Sequence, residues 1–292
     1  MVYVPAGQFT MGRDWLIGER RNEEPVHTVY VDAFYIDKYE TTRGAFRQFV
    51  EDMRYKTTAE KQGNGTVIHP NGAKELSGIS WRDSGFVQED SHPVVLVSWY
   101  DAKAYANWCG KSLPTEAQWE KAASWDESAP DDKKKRSHPW GNNAAAGPES
   151  GHKDLPKLGN FGDVRFGALI PEGTPFRNIF LDPYFGGQYD DGYVYTAPVG
   201  QFFPLGGSPY GAFDMNGNVR EWCEDGFAED FYSRSPKTNP VNSDGSKGRV
   251  VRGFGYETPC TAPSSSTVRL ALPAERCIST IGFRCIVWGP KK

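Results

Sequence analysis

Five cysteines, Cys109, Cys223, Cys260, Cys277 and Cys285, are the side chains best suited to redox or soft-metal chemistry, and their spacing favours neither. No two stand as Cys-x-x-Cys, which rules out a ribbon-type zinc site, and the odd number leaves at least one thiol unpaired within the chain. His27, His69, His92, His138 and His152 are scattered with no His-x-x-x-His pair, so a histidine-ligated iron or zinc centre is not expected. Oxygen donors are better placed. Asp214-Met215-Asn216-Gly217-Asn218-Val219-Arg220-Glu221 gathers two carboxylates and several carbonyls around an Asn-Gly turn, hard ligands of the kind calcium takes six to eight of. An ordinary Asn-Gly turn with Glu221 in a buried ion pair is the competing reading.

These groups must be held by a chain of 292 residues and 32.5 kDa, ample for a core without metal or disulfide staples. The formal charge of -4 argues against a nucleic-acid partner, which would ask for a basic patch. The one basic run, Lys133-Lys134-Lys135-Arg136, follows Asp131 and Asp132 and reads as a solvated loop. No apolar stretch approaches the roughly 20 residues that span a bilayer, and no signal-like segment follows Met1. The compartment stays open, with an exported or surface-displayed protein allowed for if a leader has been removed.

With 32 glycines, 21 prolines and 14% aromatic residues, the composition predicts long ordered loops pinned by large side chains. Met1 to Pro5 reads as an opening strand. Val29 to Ile36 alternates as a half-buried strand should. Thr41 or Thr42 starts a helix with Phe46, Phe49 and Val50 on one face. Ser98-Trp99-Tyr100-Asp101 is a capping box for a helix through Tyr105 and Trp108 that ends at Gly110, and Thr115-Glu116-Ala117-Gln118 is another, opening a helix with Trp119, Ala122 and Ala123. Short strands are expected at 248–253 and 282–288. Without a fixed-period repeat or a linker, residues 1–292 read as a single domain.

Taken in order, Val4 to Gly12, Glu24-Pro25-Val26-His27, Asp37 to Thr42, His92-Pro93-Val94-Val95, Val97 to Ala102, Leu113 to Glu120, Pro139-Trp140-Gly141-Asn142, Gly217 to Trp222 and Gly282-Phe283-Arg284-Cys285 strongly resemble the formylglycine-generating enzyme, or sulfatase-modifying factor, family. The resemblance covers essentially the whole chain. It implies an α+β domain of low regular content, related to C-type lectin-like folds, though a fold does not settle a function. It also implies one or two structural calcium sites. The first would use the Asp214 and Glu221 side chains and the Gly217 and Val219 carbonyls, with Asp214 standing where the family is expected to have Asn. The second would use Asn160, the Phe161 carbonyl, the Asp191 side chain and the Tyr193 carbonyl; the competing reading of Asn160 is an Asx-turn.

Active members of the family carry Arg-Gly-Gly-Ser-aromatic-x-Cys-x-x-x-x-Cys, whose two thiolates bind Cu(I) and activate oxygen to oxidise a substrate cysteine. Counted forward from Arg252-Gly253, the thiol positions fall on Thr258 and Pro263. Counted back from Val268-Arg269-Leu270-Ala271, they fall on Cys260 and Ser265. Neither register supplies two sulfurs, and Phe254-Gly255 replaces Gly-Ser, so no copper is expected. The iron-dependent sulfoxide synthases that share the domain need a His-x-x-x-His-x-Glu motif on a helical bundle, and both are missing here.

What stands there is Thr258-Pro259-Cys260-Thr261-Ala262-Pro263-Ser264-Ser265-Ser266-Thr267, followed later by Cys277-Ile278-Ser279-Thr280. All of these residues are reachable from an AAC codon by changing its adenines, the mark a diversity-generating retroelement leaves, and variable proteins of such systems resemble this arrangement, with mutated positions ahead of a closing Ile-Gly-Phe-Arg block. A small-residue surface loop in a degenerate paralogue is the alternative. The first function expected is a non-catalytic module that shows a protein or surface ligand a face within 252–288, built from Phe254, Tyr256, Thr258, Cys260, Ser265, Leu272, Cys277 and Ser279, with Arg252 and Arg269 as fixed supports. The second is a divergent oxidoreductase or maturation factor that works without the copper pair.

Overall fold

A computed structural model describes residues 1–13, 22–142, 157–175, 177–181, 189–259 and 266–290; Cys260 and Ser265 lie outside them. The chain opens with β1 (Val2–Val4) and β2 (Gly7–Met11), then β3 (His27–Val31) and β4 (Phe34–Ile36). The strand expected over Val29 to Ile36 is thus two. Phe34 of β4 pairs with Val4 of β1, while Val31 of β3 pairs with Gly7 of β2, so the break at Asp32-Ala33 lets one run of alternating residues serve two sheets.

Helix α1 (Arg43–Met53) is capped by Thr42, whose hydroxyl accepts from Ala45 N, and it buries Phe46, Phe49 and Val50. Short α2 (Thr58–Gln62) has its own capping box at Thr57 and Glu60, and β5 (Asn64–His69) and β6 (Gly72–Ser77) form a hairpin. The Ser98 and Thr115 capping boxes are both present, starting α3 (Trp99–Trp108) and α4 (Glu116–Ser124). Gly110, at φ +68°, ends the first as its sequence predicts. Every residue of α4 is buried, charged ones included.

There follow α5 (Val164–Ala168), α6 (Arg177–Leu181), β7 (Arg220–Gly226), α7 (Phe231–Arg234), β8 (Arg249–Arg252), β9 (Arg269–Leu272), β10 (Ile281–Gly282) and β11 (Ile286–Trp288). Two sheets organise them, one of order β1-β4-β11 and one of order β10-β7-β8-β9. The last strand therefore closes the first sheet. One core packs that sheet and β2 and β3 against α4 through Val4, Phe9, Phe34, Ile36 and Trp119; a second gathers Phe46, Phe49, Tyr105, Trp222 and Phe283 beneath α1 and α3. Among the described residues no helix is long and apolar enough to cross a membrane.

The basic run is a solvated loop only in its first half, where Lys133 is exposed and Lys134 pairs with exposed Asp131. Lys135 pairs with buried Glu120 and donates to Thr10 O, and Arg136 pairs with Asp126. Buried carboxylates on α4 and after it draw these cations inward, because an unpaired charge there costs several kcal/mol.

Candidate functional site

The closing segment hangs on three fully buried arginines. Arg252, at the end of β8, donates to Glu116 Oε1 (3.0 Å), Glu120 Oε2 (2.6 Å) and the carbonyls of Ser266 (2.8 Å) and Thr267 (3.0 Å). Arg269, opposite it on β9, makes a two-point contact with Glu116, each bond 2.8 Å, and a third donation to Ala228 O. Burial pushes the Glu120 carboxyl up, but Lys135 and Arg252 more than offset it and hold the group below its ordinary value. Arg284 in turn donates to both oxygens of Glu221 (2.7 to 2.9 Å) and to Phe213 O (2.8 Å). Arg252 and Arg269, which the sequence suggests as supports, are both buried and tied to Glu116.

The residues expected to show a face to a ligand are instead mostly inside. Tyr256 is 0% exposed; its hydroxyl donates to Ile68 O (3.1 Å) and shares a hydrogen bond with Ser279 Oγ (2.8 Å), and Phe86 and Tyr195 pack edge-on against its ring. Ser279 is also 0% exposed, its Oγ accepting from Ile68 N. Cys277 packs with Ala59, Val67 and Leu96, where burial pushes its thiol up to about 12. Phe254 and Thr258 are buried, the latter accepting a hydrogen bond from Arg220, and Leu272 is half-buried. The physical reason is the β5–β6 hairpin. Thr66 N donates to Cys277 O (2.9 Å) and Ser279 N to Thr66 O (2.9 Å), so the hairpin lies along this stretch and covers its alternate side chains. Among the described residues of 252–288 the exposed ones are Leu270, Ala271, Pro273, Glu275, Arg276, Val287 and Trp288.

Beside this frame lies an acidic region that contains both predicted oxygen-ligand sets. Asn218 N donates to Asn160 O (2.8 Å) and Asn160 Nδ2 to Asn218 Oδ1 (3.1 Å), which backs the two sets against each other. The turn that joins them is wound unusually: Asp214 (φ +57°) and Asn218 (φ +59°) are left-handed non-glycine residues around Gly217 (φ +94°). A Cβ on Gly217 would sit 2.6 Å from Asn160 O.

The second set fits a cation well. Asn160 Oδ1 is buried without a hydrogen-bond partner, an unmet acceptor in the interior. Burial, with Asp163 beside it, pushes the Asp191 carboxyl up to about 8, and it accepts from Phe161 N (2.7 Å) and Tyr193 N (2.9 Å). A positive charge beside these oxygens would relieve both the orphaned acceptor and the reluctant carboxylate.

The first set fits in charge more than in free oxygen atoms. Burial pushes Asp214 up to about 6, Gly200 N donates to its Oδ2 (2.6 Å), and Glu221 is engaged by Arg284 and by Trp119 Nε1 (2.9 Å). Glu40, which sequence reasoning did not single out, completes the group: burial, Asp214 and Glu221 together push its carboxyl well up while it accepts from Asn218 Nδ2 and Val219 N. Its signal was available in the Asp37 to Thr42 block. Among the described residues no three His, Cys, Asp or Glu side chains converge as a metal site, so an ion here would lean on amide and carbonyl oxygens, as calcium does.

A loop-rich α+β arrangement whose closing block is clamped by buried arginines defines the formylglycine-generating-enzyme and C-type lectin-like fold class. Residues 1–288 match the sulfatase-modifying factor enzyme 1-like domain, and the chain belongs to that family. It is 33% identical over 316 aligned positions to the formylglycine-generating enzyme of Mus musculus, covering 98% of this chain and 74% of that protein. It is 30% identical over 311 positions to inactive C-alpha-formylglycine-generating enzyme 2 of Bos taurus, covering 98% and 87%. Among solved structures, PvdO from Pseudomonas aeruginosa superposes with a TM-score of 0.65 at 23% identity, covering 97% and 92% of the two chains. Treponema denticola variable protein 1 does so at 0.57 and 18%, covering 99% and 95%. The latter two likenesses speak to the fold alone.

Proposed function

We propose that the chain is a single-domain, non-catalytic ligand-binding member of its family, in which part of 252–288 is displayed to a protein or surface target and calcium serves structure alone. The observation that carries this is the fate of sulfur in the closing segment. A copper oxidase of this family needs two thiolates there, and in either register Thr258, Pro263 or Ser265 takes at least one of their places. Of the segment's other thiols, Cys277 is packed in the core with its thiol pushed up by burial, and Cys285 is buried and pushed up likewise. Likeness to a relative named as an enzyme (33%) and to one named as inactive (30%) is nearly equal, so this segment, not overall identity, decides.

The displayed face would centre on exposed Leu270, Ala271, Pro273, Glu275 and Arg276, whereas Tyr256, Cys277 and Ser279 are buried; Cys260 and Ser265 lie outside the described residues. Short side chains such as those of the sequence stretch 260–265 vary at little cost where they lie on a loop, which would suit a diversified variable protein. A reverse-transcriptase gene beside a near-copy of region 254–280 differing at adenines would support diversification. Calcium is assigned to Asn160, Phe161 O, Asp191 and Tyr193 O, and to Asp214, Gly217 O, Val219 O and Glu221, on the fit described above.

Oxygen consumption with Cu(I) and a cysteine-containing peptide tests the reading. No turnover above the metal-only control is expected, and sustained turnover that makes an aldehyde from the peptide cysteine overturns it.

A further inference from the structure

A cavity of about 440 Å³ opens where α3, α4, β7, β8 and β11 converge, and neither the exposed residues of 270–276 nor the two oxygen-ligand sets line it. Its walls are fixed. Trp99, the first residue of α3, donates from Nε1 to Cys223 O (2.8 Å), Ser112 and Ile286 exchange both backbone hydrogen bonds (2.7 and 3.0 Å), and Glu224 N donates to Pro114 O (2.9 Å). Leu113, Ile286 and Trp288 supply apolar surface, and exposed Val241 and Trp288 stand at the mouth. The volume lies within the range of small-molecule sites.

Charge in the cavity is unbalanced. Lys103 Nζ donates to both oxygens of Glu224 (2.8 and 2.7 Å), which engages the one carboxylate of the lining. The guanidinium carbon of Arg249 lies 3.9 Å from the centre of the Trp99 ring and Nη1 donates to Glu224 O (3.0 Å), yet no carboxylate of the described residues pairs with it. Gln118 reaches the cavity from the first turn of α4. Its Oε1 accepts from Thr115 N (2.8 Å), while its Nε2, on a side chain only 1% exposed, has no acceptor. A buried donor of this kind calls for a partner. The lining thus presents one surplus positive charge and an unmet donor beside apolar surface, with no free carboxylate.

We propose that this cavity binds a small organic monocarboxylate with an apolar body. Arg249, oriented by the Trp99 ring and Glu224 O, takes the carboxylate through its remaining N–H groups, since guanidinium and carboxylate match in shape as well as charge. Gln118 Nε2 is the second donor offered to the ligand, and the body lies along Leu113, Ile286 and Trp288. Charge sets the class: a cationic ligand would meet Lys103 and Arg249, and a neutral one would leave the guanidinium unmatched.

Calorimetric titration of the full chain with 3-phenylpropionate and with octanoate, an aromatic and a linear body, is expected to give saturable binding of at least one, with the matching carboxamide about tenfold weaker or worse. Arg249→Gln should weaken binding about tenfold or more. Val241→Trp, which fills the mouth from an exposed position, should abolish it with the melting temperature unchanged. Should Arg249→Gln unfold the chain, Val241→Trp and the carboxamide decide. The proposal is overturned if neither acid binds up to about 10 mM, if the carboxamide binds equally well, or if affinity is unchanged in Val241→Trp or in a folded Arg249→Gln.

Discussion

Around Arg252 and Arg269, guanidinium and carboxylate are matched almost contact for contact: Glu116 meets both arginines, and Glu120 meets Arg252 and Lys135. Around Asn160 and Asp214 the balance is different. Asp191 lies against Asp163, Asp214 against Glu221 and Glu40, and Arg284 is the guanidinium that faces the latter three. Both regions are buried, and they adjoin through Trp119, which stands under Arg252 and donates to Glu221. The matched region is complete as the chain folds, whereas the acidic one is left with carboxyls raised toward neutrality and an amide oxygen unmet. Burying charge commits a protein to neutralise it, and the partner can come from the sequence or from solution.

The matched region is broken most directly at Glu116. Glu116→Ala takes from Arg269 its carboxylate partner and leaves Arg252 with Glu120, and is expected to lower stability by about 3–5 kcal/mol in urea unfolding, with the same loss in calcium and in chelator. A loss under 1 kcal/mol would mean the clamp is redundant.

Calcium at about a hundredfold over its dissociation constant should add roughly 2.7 kcal/mol, seen as several degrees between calcium and chelator. Asp191→Asn with Asn160→Ala should shrink that difference, and an unchanged difference would remove the assignment. Gly217→Ala, which drives a Cβ toward Asn160 O at a left-handed position, is expected to cost about 1–3 kcal/mol and weaken the calcium response along with it.

Acidity distinguishes the regions by sign. An Asp191 carboxyl raised to about 8 binds a proton that the unfolded chain, with its ordinary value near 4, has already released. Its contribution is therefore full below about pH 4 and lost as pH rises through 8. Between pH 6.5 and 8 in chelator, the melting temperature of the unsubstituted protein should fall relative to that of Asp191→Asn; equal slopes would contradict the raised carboxyl. The smallest effect belongs to the exposed edge, where Leu270→Ala is expected to change stability by less than about 0.5 kcal/mol while weakening capture of any ligand bound there.

Local chemistry was legible in the sequence wherever it was written within four residues. The boxes at Ser98 and Thr115 and the cap at Thr42 mark their helices, and a third box, Thr57 with Glu60, carried the same signal unread. Pro70-Asn71-Gly72 likewise announced the hairpin of β5 and β6. Burial of Tyr256 and Ser279 was not legible, because it depends on that hairpin folding over them from some 200 residues away. The pairing of Arg252 with Glu116 spans 136 positions, and no periodicity reports it. Acidic ligand sets showed in the sequence as local turns; their shortage of positive charge emerged only when Glu40 and Asp163 were placed beside them.

The β1-β4-β11 sheet has a consequence for biosynthesis. Its middle strand, finished by residue 36, stays half-paired on the ribosome until Ile286 to Trp288 emerge, and the carboxylate of Glu221 waits as long for Arg284. The nascent chain is thus denied this closure until β11 has emerged, when loops of some 250 residues close together. Ribosome-bound chains stopped at residue 275 should be cut by protease far faster than chains in which residues 276–292 have also emerged, which would make β11 the timing signal for folding.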